Sequence, residues 1–220
     1  MRWNFLFGLI ACSLSLSAQT IGRATVFNFL NSSPTPQLTA LGGVNVSDPS
    51  PDIGLAENNP ALLRSSMHAQ LGTSFARLPS GINAWNLALG YLHPKTQTRF
   101  LWSLAYLDYG SITETDAAGN SYGSIRPRDW YMQVSAAHDY AGHWTGGASL
   151  KFISSNYGLY RSNGIAVDVG LLYRDPVSQW MAGLLVRNMG TQLRKYDGTD
   201  PGDLPFDLQL GISKKLAHAP

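Results

Sequence analysis

Apolar and polar side chains alternate one by one along much of the chain after residue 67. In the stretch "PFDLQLGIS" every second residue from Phe206 onward is apolar, and the residues between are polar or small. Successive side chains of a β-strand point to opposite faces, so this pattern predicts a strand with one apolar face. Eight such runs follow one another, and none has the period of a helix. We predict strands at 67–76, 83–92, 99–109, 129–139, 143–153, 164–174, 179–188 and 205–215.

The connections between these runs alternate between short and long. "HPKTQT", "YAG" and "RDPVSQ" are short, whereas 110–128, 154–163 and 189–204 are long and polar. In an up-and-down sheet, all the long connections then emerge at one end. This sorting is typical of outer-membrane β-barrels, which have tight periplasmic turns and longer extracellular loops. A soluble sandwich with Greek-key connections gives no reason for such sorting.

Aromatic residues lie near both ends of the predicted strands. Outer-membrane barrels carry two girdles of aromatic side chains, one at each membrane interface. A soluble core would more often hold its large aromatic residues in the middle of strands. We therefore predict lipid-interface positions for Trp85, Trp130, Trp144, Trp180, Tyr91 and Tyr173.

The composition favours a membrane barrel over a soluble sheet. Charged residues make up 14% of the chain, whereas soluble domains contain about a quarter. No apolar run reaches the roughly 18 residues of a spanning helix. The formal net charge of +2 gives no reason to expect a nucleic-acid partner. We predict an all-β, antiparallel transmembrane β-barrel of the outer-membrane type, with a soluble β-sheet as the alternative.

The N-terminus has the features of an export signal. Residues 1–18 combine "MRW", a short apolar run and small residues before a cleavage site after Ala18. Cys12 in "LIAC" leaves a lipoprotein signal as the alternative. It is the single cysteine of the chain, so a mature chain without it has no disulfide or cysteine–zinc site. Residues 19–66 are irregular, and their apolar pieces "TVFNFL" and "PALL" favour a packed segment over a flexible leader.

Several segments in order resemble a known family. They are "GRATVFNFLNSSPTPQLTALGGVNVS", "NNPALL", "MHAQL", "LDYGSITETDAAGN" and "LPFDLQLGISKKLAHAP". From about Gly22 to Pro220 the chain is similar to the PorQ family, outer-membrane proteins of the type IX secretion system. "ALGG" followed by "NPA" also resembles the wider superfamily of FadL-like barrels, whose N-terminal segment folds into the lumen as a hatch. The resemblance implies a lumenal hatch at 19–66, with a structural motif at Asn58, Asn59, Pro60 and Ala61.

The resemblance implies a role rather than a reaction. Proteins of the PorQ family are non-enzymatic members of a cell-surface attachment complex, which includes the sortase PorU, the shuttle barrel PorV and the surface protein PorZ. They hold PorZ at the outer membrane, which implies outer-membrane lipid and these proteins as partners. The wider superfamily implies an alternative, transport of a hydrophobic compound. The resemblance implies a barrel of about fourteen strands, whereas eight are counted here. Residues 67–220 are therefore expected to be the N-terminal portion of a larger barrel, with an eight-stranded barrel as the alternative.

The sequence has no motif of a common enzyme class. G-x-S-x-G, P-loop and H-E-x-x-H patterns are missing, so we predict neither catalytic residues nor a cofactor. His138 and His143 flank a short turn, but two imidazoles without a third ligand are a weak metal site. The loop with Asp197, Asp200 and Asp203 fits no EF-hand spacing. No metal site is predicted.

Two further sets of side chains are expected to lie in specific places, one in the barrel lumen and the other at a contact with protein partners. Asp168, Lys151 and Arg174 are expected to face the lumen, where they can pair with each other. The loops 110–128 and 189–204 are expected to dock protein partners, because they carry aromatic and basic side chains of the kind enriched at interfaces. These are Tyr122, Arg126, Arg128, Arg194, Lys195 and Tyr196.

Overall fold

The chain folds around one large antiparallel β-sheet. A computed structural model describes residues 25–48, 50–196 and 202–215. The expected signal peptide with Cys12 lies outside the described residues, as do Asp197 and Asp200 of the acidic loop. The main sheet has eight strands in sequence order without a crossover, apart from one hairpin that forms a separate two-stranded sheet.

Each of the eight predicted runs corresponds to a strand of the main sheet. The all-β, antiparallel fold is therefore confirmed. The strands are β1 (Leu71–Arg77), β2 (Asn83–Leu92), β3 (Arg99–Asp108), β6 (Arg128–Tyr140), β7 (Trp144–Tyr157), β8 (Tyr160–Arg174), β9 (Trp180–Arg194) and β10 (Asp207–Lys214), with β4 (Ile112–Thr115) and β5 (Ser121–Ile125) in the separate hairpin.

Strands β6 to β9 extend further than the sequence predicted, whereas β1 and β10 are shorter than predicted. The prediction of a long loop at 154–163 was wrong, because β7 and β8 continue through it and are joined by a turn at Gly158 and Leu159. The side chains there are mostly polar on both faces, so no hydrophobic period marked the strands. For the same reason the hairpin inside 110–128 and the strand at 189–194 were missed. The long connections in the structure are 109–127 and 195–206.

The N-terminal segment forms short helical turns. These are α1 (Pro36–Ala40), α2 (Ile53–Ala56) and 3-10 turns at Asn28–Asn31, Pro60–Leu62 and Ser65–Met67; a further 3-10 turn, Pro79–Gly81, lies between β1 and β2. Local capping explains where the two α-helices begin. The Thr35 hydroxyl accepts the Leu38 N–H at 3.3 Å, and the Asp52 carboxylate accepts the Gly54 N–H at 2.8 Å.

The sheet carries its buried polar side chains, together with small and apolar ones, on the face that the N-terminal segment covers, and it is apolar on the opposite face. The side chain of Asp168 is fully buried beneath the segment, whereas Leu210 on the opposite face is 77% exposed. Between the segment and the sheet lie two apolar clusters, one around Leu62 and Leu101 and the other around Phe29. The distribution is thus inverted relative to a soluble β-sheet, which turns its apolar face to the core.

Strands β1 and β10 form the two edges of the sheet. Within the described residues they do not pair with each other, so the strands form an open sheet. Beside β10, the Val26 N–H donates to the Asp203 carbonyl oxygen at 3.0 Å, which ties the start of the N-terminal segment to the sheet. In the part of the chain that is described, no helix is long and apolar enough to cross a membrane.

Candidate functional site

The outer face of the sheet carries a continuous row of aromatic side chains near its long-loop end. Phe75, Trp85, Tyr106 and Trp130 are successive register partners across β1, β2, β3 and β6. The first three rings are in contact, with centroids 5.4 Å apart between Phe75 and Trp85 and 5.6 Å apart between Trp85 and Tyr106, whereas the ring of Trp130 contacts Phe152. Cross-strand aromatic pairs of this kind stabilise a sheet.

Aromatic side chains also line the short-turn end of the outer face. Trp144 and Tyr173 are register partners whose ring centroids are 4.9 Å apart. At the edge, the Lys214 ammonium lies 5.0 Å from the centroid of the Trp180 ring, a cation–π contact. Tyr91 lies at the short-turn end of β2, and its side chain is half exposed. All six aromatic residues predicted for a lipid interface therefore lie on the outer face.

Between these aromatic ends, the outer face is almost entirely aliphatic. Monomeric soluble proteins seldom expose apolar patches of more than a few hundred Å². Here every strand of the main sheet contributes exposed apolar side chains, so the patch extends across all eight strands. Examples are Leu71, Leu89, Phe100, Val134, Leu150, Val167, Val169, Leu184, Leu208 and Ile212.

The "NPA" turn packs against two glycines on the covered face of the sheet, and we call such a glycine pair a glycine seat. Asn59 caps the turn by accepting the Ala61 N–H at 3.0 Å, and Pro60 occupies the first position, where its missing N–H is not needed. Gly147 and Gly170 are register partners beneath it. A Cβ at Gly147 would lie 2.6 Å from the Pro60 carbonyl carbon, and one at Gly170 would overlap the Asn59 side-chain oxygen.

A second glycine pair seats the preceding part of the segment. Gly183 and Gly211 are register partners on β9 and β10, and both face Val46. A Cβ at Gly211 would lie 2.8 Å from the Val46 Cβ. The Asn59 side-chain amide donates to the Val46 carbonyl at 2.8 Å, which joins the two seats. Four glycines in neighbouring strands thus let the backbone of residues 46–61 approach the sheet closely.

Glu57 lies in a buried polar network between the segment and the sheet. Both of its carboxylate oxygens accept from the Asn86 amide at 3.0 Å, and one accepts from the Tyr131 hydroxyl at 3.2 Å. The Gln133 amide donates to the Glu57 backbone carbonyl at 3.1 Å. Burial raises the pKa of Glu57 above its usual value, and the hydrogen bonds and the charge of Lys151 oppose this shift.

Lys151 and Asp168 form a buried ion pair on adjacent strands. The Lys151 ammonium lies 2.5 Å from one Asp168 oxygen, and both side chains are almost completely buried. The other Asp168 oxygen accepts the Asn188 N–H at 2.8 Å and so fixes an irregularity of β9. The expected pairing is confirmed for these two residues. Arg174 takes no part in it and lies at the short-turn end of β8.

A buried carboxylate ties the long-loop end of the strands together. Asp129 accepts the Tyr109 hydroxyl at 2.6 Å, the Tyr157 hydroxyl at 3.0 Å and the Ser155 hydroxyl. Tyr196 donates to the Ser155 hydroxyl at 2.7 Å, and its ring contacts Tyr157. These contacts anchor the bases of the loops that follow β3 and β9.

The β4–β5 hairpin and the tip of β7 and β8 form one exposed surface at the long-loop end. A Cβ at Gly158 would lie 2.8 Å from the Ile125 side chain, so the two elements touch. Leu159 at the tip is 95% exposed and Tyr160 beside it is also exposed. This tip was not predicted from the sequence, because residues 154–163 are mostly polar and were expected to form a loop. The sequence signal for an exposed apolar tip was Leu159, which lies between Gly158 and Tyr160 in a mostly polar stretch.

The predicted docking residues lie around this surface but differ in their surroundings. Tyr122, Arg126, Arg128 and Arg194 are exposed. Lys195 is half-buried, and Tyr196 is engaged in the internal contacts described above. Arg128 is the first residue of β6 and Arg194 the last residue of β9, so both mark strand ends rather than flexible loop positions.

The described residues contain no group of three potential metal-ligating side chains. His138 contacts the ring of Tyr140, and His143 contacts that of Tyr173.

No protein-family model matches this chain, and no match was found among the curated proteins.

Proposed function

We propose that this chain forms strands of an outer-membrane β-barrel that serves as a non-enzymatic anchor. The observation that carries the proposal is the inverted sheet, with an exposed aliphatic face between aromatic rows and a polar face beneath the N-terminal segment. In hydrocarbon, an extended chain is stable only when all its backbone groups are paired in a closed sheet. We therefore propose that the edges of β1 and β10, which do not pair with each other within the described residues, are paired in the membrane-inserted barrel.

The N-terminal segment is the proposed lumenal hatch. Its glycine seats and its buried network with Glu57 join it to the polar face of five or more strands. A polar lumenal face and an apolar lipid face are typical of outer-membrane barrels. Strands of about 9–11 residues cross the membrane, so β8, with 15 residues, extends beyond it at the long-loop end.

The partner role rests on the resemblance to the PorQ family and on the exposed long-loop end. We propose that this end lies at the cell surface and holds a PorZ-like protein near the sortase of the type IX attachment complex. The β4–β5 hairpin and the β7–β8 tip supply exposed Tyr122, Leu159 and Tyr160. Aromatic anchors of this kind dominate many interfaces.

Spin labels on neighbouring residues test the membrane placement. In the full-length protein without Cys12, Leu210→Cys and Gln209→Cys lie on opposite faces of β10. In lipid vesicles we expect the label at 210 to be accessible to oxygen and shielded from a water-soluble nickel complex, and the label at 209 to be protected from oxygen. Equal access of the nickel complex to both labels would contradict the barrel.

Loop replacement tests the partner role. Replacing residues 112–125 with a short Gly-containing turn should release the PorZ-like protein from the cell surface, while the barrel remains inserted. Replacing the short turn at 94–97 is the matched control, because it lies at the other end of the strands. Heat-dependent migration on gels reports insertion. Unchanged surface retention after the 112–125 replacement would count against the anchoring role.

An apolar cavity favours transport of a hydrophobic compound as a second function. Its volume is about 190 Å³, and it lies between the N-terminal segment and the strands, with Phe29, Pro34, Ala76, Leu107 and Tyr131 in its lining. A hatch beside an apolar cavity fits a FadL-like transporter. Uptake of a labelled fatty acid by cells lacking the gene separates the two functions. Reduced uptake with normal surface attachment would favour transport.

A further inference from the structure

A large cavity opens at the short-turn end of the sheet, opposite the proposed docking surface. Its volume is about 770 Å³, and it lies between the N-terminal segment and the ends of β8, β9 and β10. Asp48, Pro51 and Arg64 line it from the segment. Arg174 and Met181 line it from the sheet, and Lys215 closes it after β10.

The lining of this cavity has an excess of positive charge. Among the described residues, Arg64, Arg174 and Lys215 form no ion pair with a carboxylate. The nearby Asp175 carboxylate is occupied by its own turn, since it accepts the Val177 N–H at 2.9 Å and the Ser178 hydroxyl at 2.5 Å. Asp48 is the second carboxylate of the lining, and Lys214 is its fourth cation. Four cations therefore face two carboxylates.

Arg64 is the most constrained of these cations because it is half-buried. Burial lowers the pKa of its guanidinium, as do the positive charges of Arg174 and Arg99, while Asp48 and Asp139 act in the opposite direction. Asp139 is itself bound to Arg99, whose two terminal nitrogens lie 2.9 Å and 2.8 Å from its oxygens. A half-buried guanidinium without a protein partner keeps its hydrogen-bond donors available to an anion that enters the cavity.

We propose that this cavity is an oxyanion site, which binds a ligand through a carboxylate or phosphate group. Arg64 and Arg174 hold the anion, because guanidinium groups match both oxyanions in geometry. Lys215 adds a third positive charge, and Met181 with Pro51 provides an apolar wall for the rest of the ligand. This inference goes beyond the anchoring function and does not depend on what binds at the long-loop end.

Binding measurements on the full-length protein in detergent test the site. The probes are inorganic phosphate and a four-residue glutamate peptide, with the corresponding glutamine peptide as the uncharged comparison. We expect both anions to bind and their affinities to fall as the salt concentration rises. Arg64→Gln and Arg174→Gln should each weaken binding about tenfold. Arg77→Gln, at an exposed arginine that ends β1 at the opposite end of the sheet, is the matched control and should leave binding unchanged.

The outcomes distinguish the possible sources of the anion from one another. They also distinguish support for the proposal from its failure. Binding of phosphate alone assigns a small anion, and tighter binding of the glutamate peptide assigns an acidic protein segment; both support the site. Heat-dependent migration of each variant shows that it has folded, and Lys215→Gln serves if Arg64→Gln does not fold. Absence of binding by both probes, or equal affinities in the parent protein and the arginine variants, would overturn the proposal. Loss of surface attachment has no bearing on this result.

Discussion

Gly147 and Gly170 are register partners on β7 and β8, and together they form the floor on which the "NPA" turn of the N-terminal segment rests. The Asn59 side chain above them has two roles. It caps its own turn and donates to the Val46 carbonyl. A side chain at either glycine would push the turn off the sheet, because it would meet the Pro60 backbone above Gly147 or, above Gly170, the Asn59 side-chain oxygen that caps the turn.

Gly170→Ala should destabilise the protein by about 1–3 kcal/mol, the usual cost of overpacking. The added methyl group overlaps Asn59, which cannot move without losing the cap and the bond to Val46. Gly146→Ala is the matched control, since Gly146 is a neighbour on the outer face and its Cβ would meet only the Tyr140 ring, at 3.2 Å. Urea unfolding in detergent measures the difference, and equal stability of the two variants would contradict the seat.

Docking of the N-terminal segment should weaken as the pH rises above the ordinary glutamate pKa of about 4.3. Burial raises the pKa of Glu57 in the folded protein, so the folded state binds the proton more tightly than the unfolded state. Stability from this group is therefore full at low pH and falls as the pH rises towards the raised pKa. Protease cleavage within residues 25–66, followed between pH 4 and 8, measures the effect.

Glu57→Gln removes this titration and keeps an amide oxygen that accepts from Asn86 and Tyr131. Cleavage of this variant should depend less on pH than cleavage of the parent protein. The groups that face Glu57 are Ser103, Asn86, Tyr131 and, by its charge, Lys151. An unchanged pH dependence in the variant would assign the titration to another group.

Lys151→Met should cost about 3–5 kcal/mol, because it leaves the buried Asp168 carboxylate without its counter-charge. Adding Asp168→Asn should restore part of the loss, since asparagine is neutral and keeps an oxygen for the Asn188 N–H. Unfolding of the two variants measures the coupling between the residues. If the double variant were less stable than Lys151→Met, the ion pair would not be the cause.

Leu150→Arg should destabilise the inserted protein by about 2–4 kcal/mol, the cost of a cation on the lipid face near the membrane centre. Leu150 lies mid-strand on the outer face of β7 and is exposed. Leu159→Arg is the matched control, because this leucine lies at the β7–β8 tip outside the proposed membrane and should tolerate arginine. Unfolding from lipid vesicles measures both. If both substitutions changed the free energy of unfolding by similarly small amounts, the aliphatic face would be in contact with water and not with lipid.

The main strands were predictable because residues on their two faces differ in polarity. The run that includes Leu208 and Leu210 became β10, and the run that includes Val167 and Val169 became β8. The strand ends at Tyr157 and Tyr160 were not predictable, since the residues on both faces there are mostly polar and pairing alone continues the strands. Alternation along the sequence reveals a strand only where the residues on its two faces differ in polarity.

The glycine seats show the same limit for the candidate site. Asn59 and Pro60 were singled out from the sequence, but Gly147, Gly170, Gly183 and Gly211 lie far from them along the chain. Their common role follows from register, which places each pair side by side beneath the segment. Glu57 was missed because its partners, Asn86 and Tyr131, come from separate strands.

The sequence by itself determined that the chain forms antiparallel strands and which residues of each strand share a face, because alternation is a local property with a period of two. It could not determine which face is covered. The tertiary structure decided this by placing the N-terminal segment over the polar face and leaving the aliphatic face exposed. The physical reason is that burial depends on contacts between residues distant in the chain, such as Asn59 with Gly170, and such contacts exist only after the strands have paired.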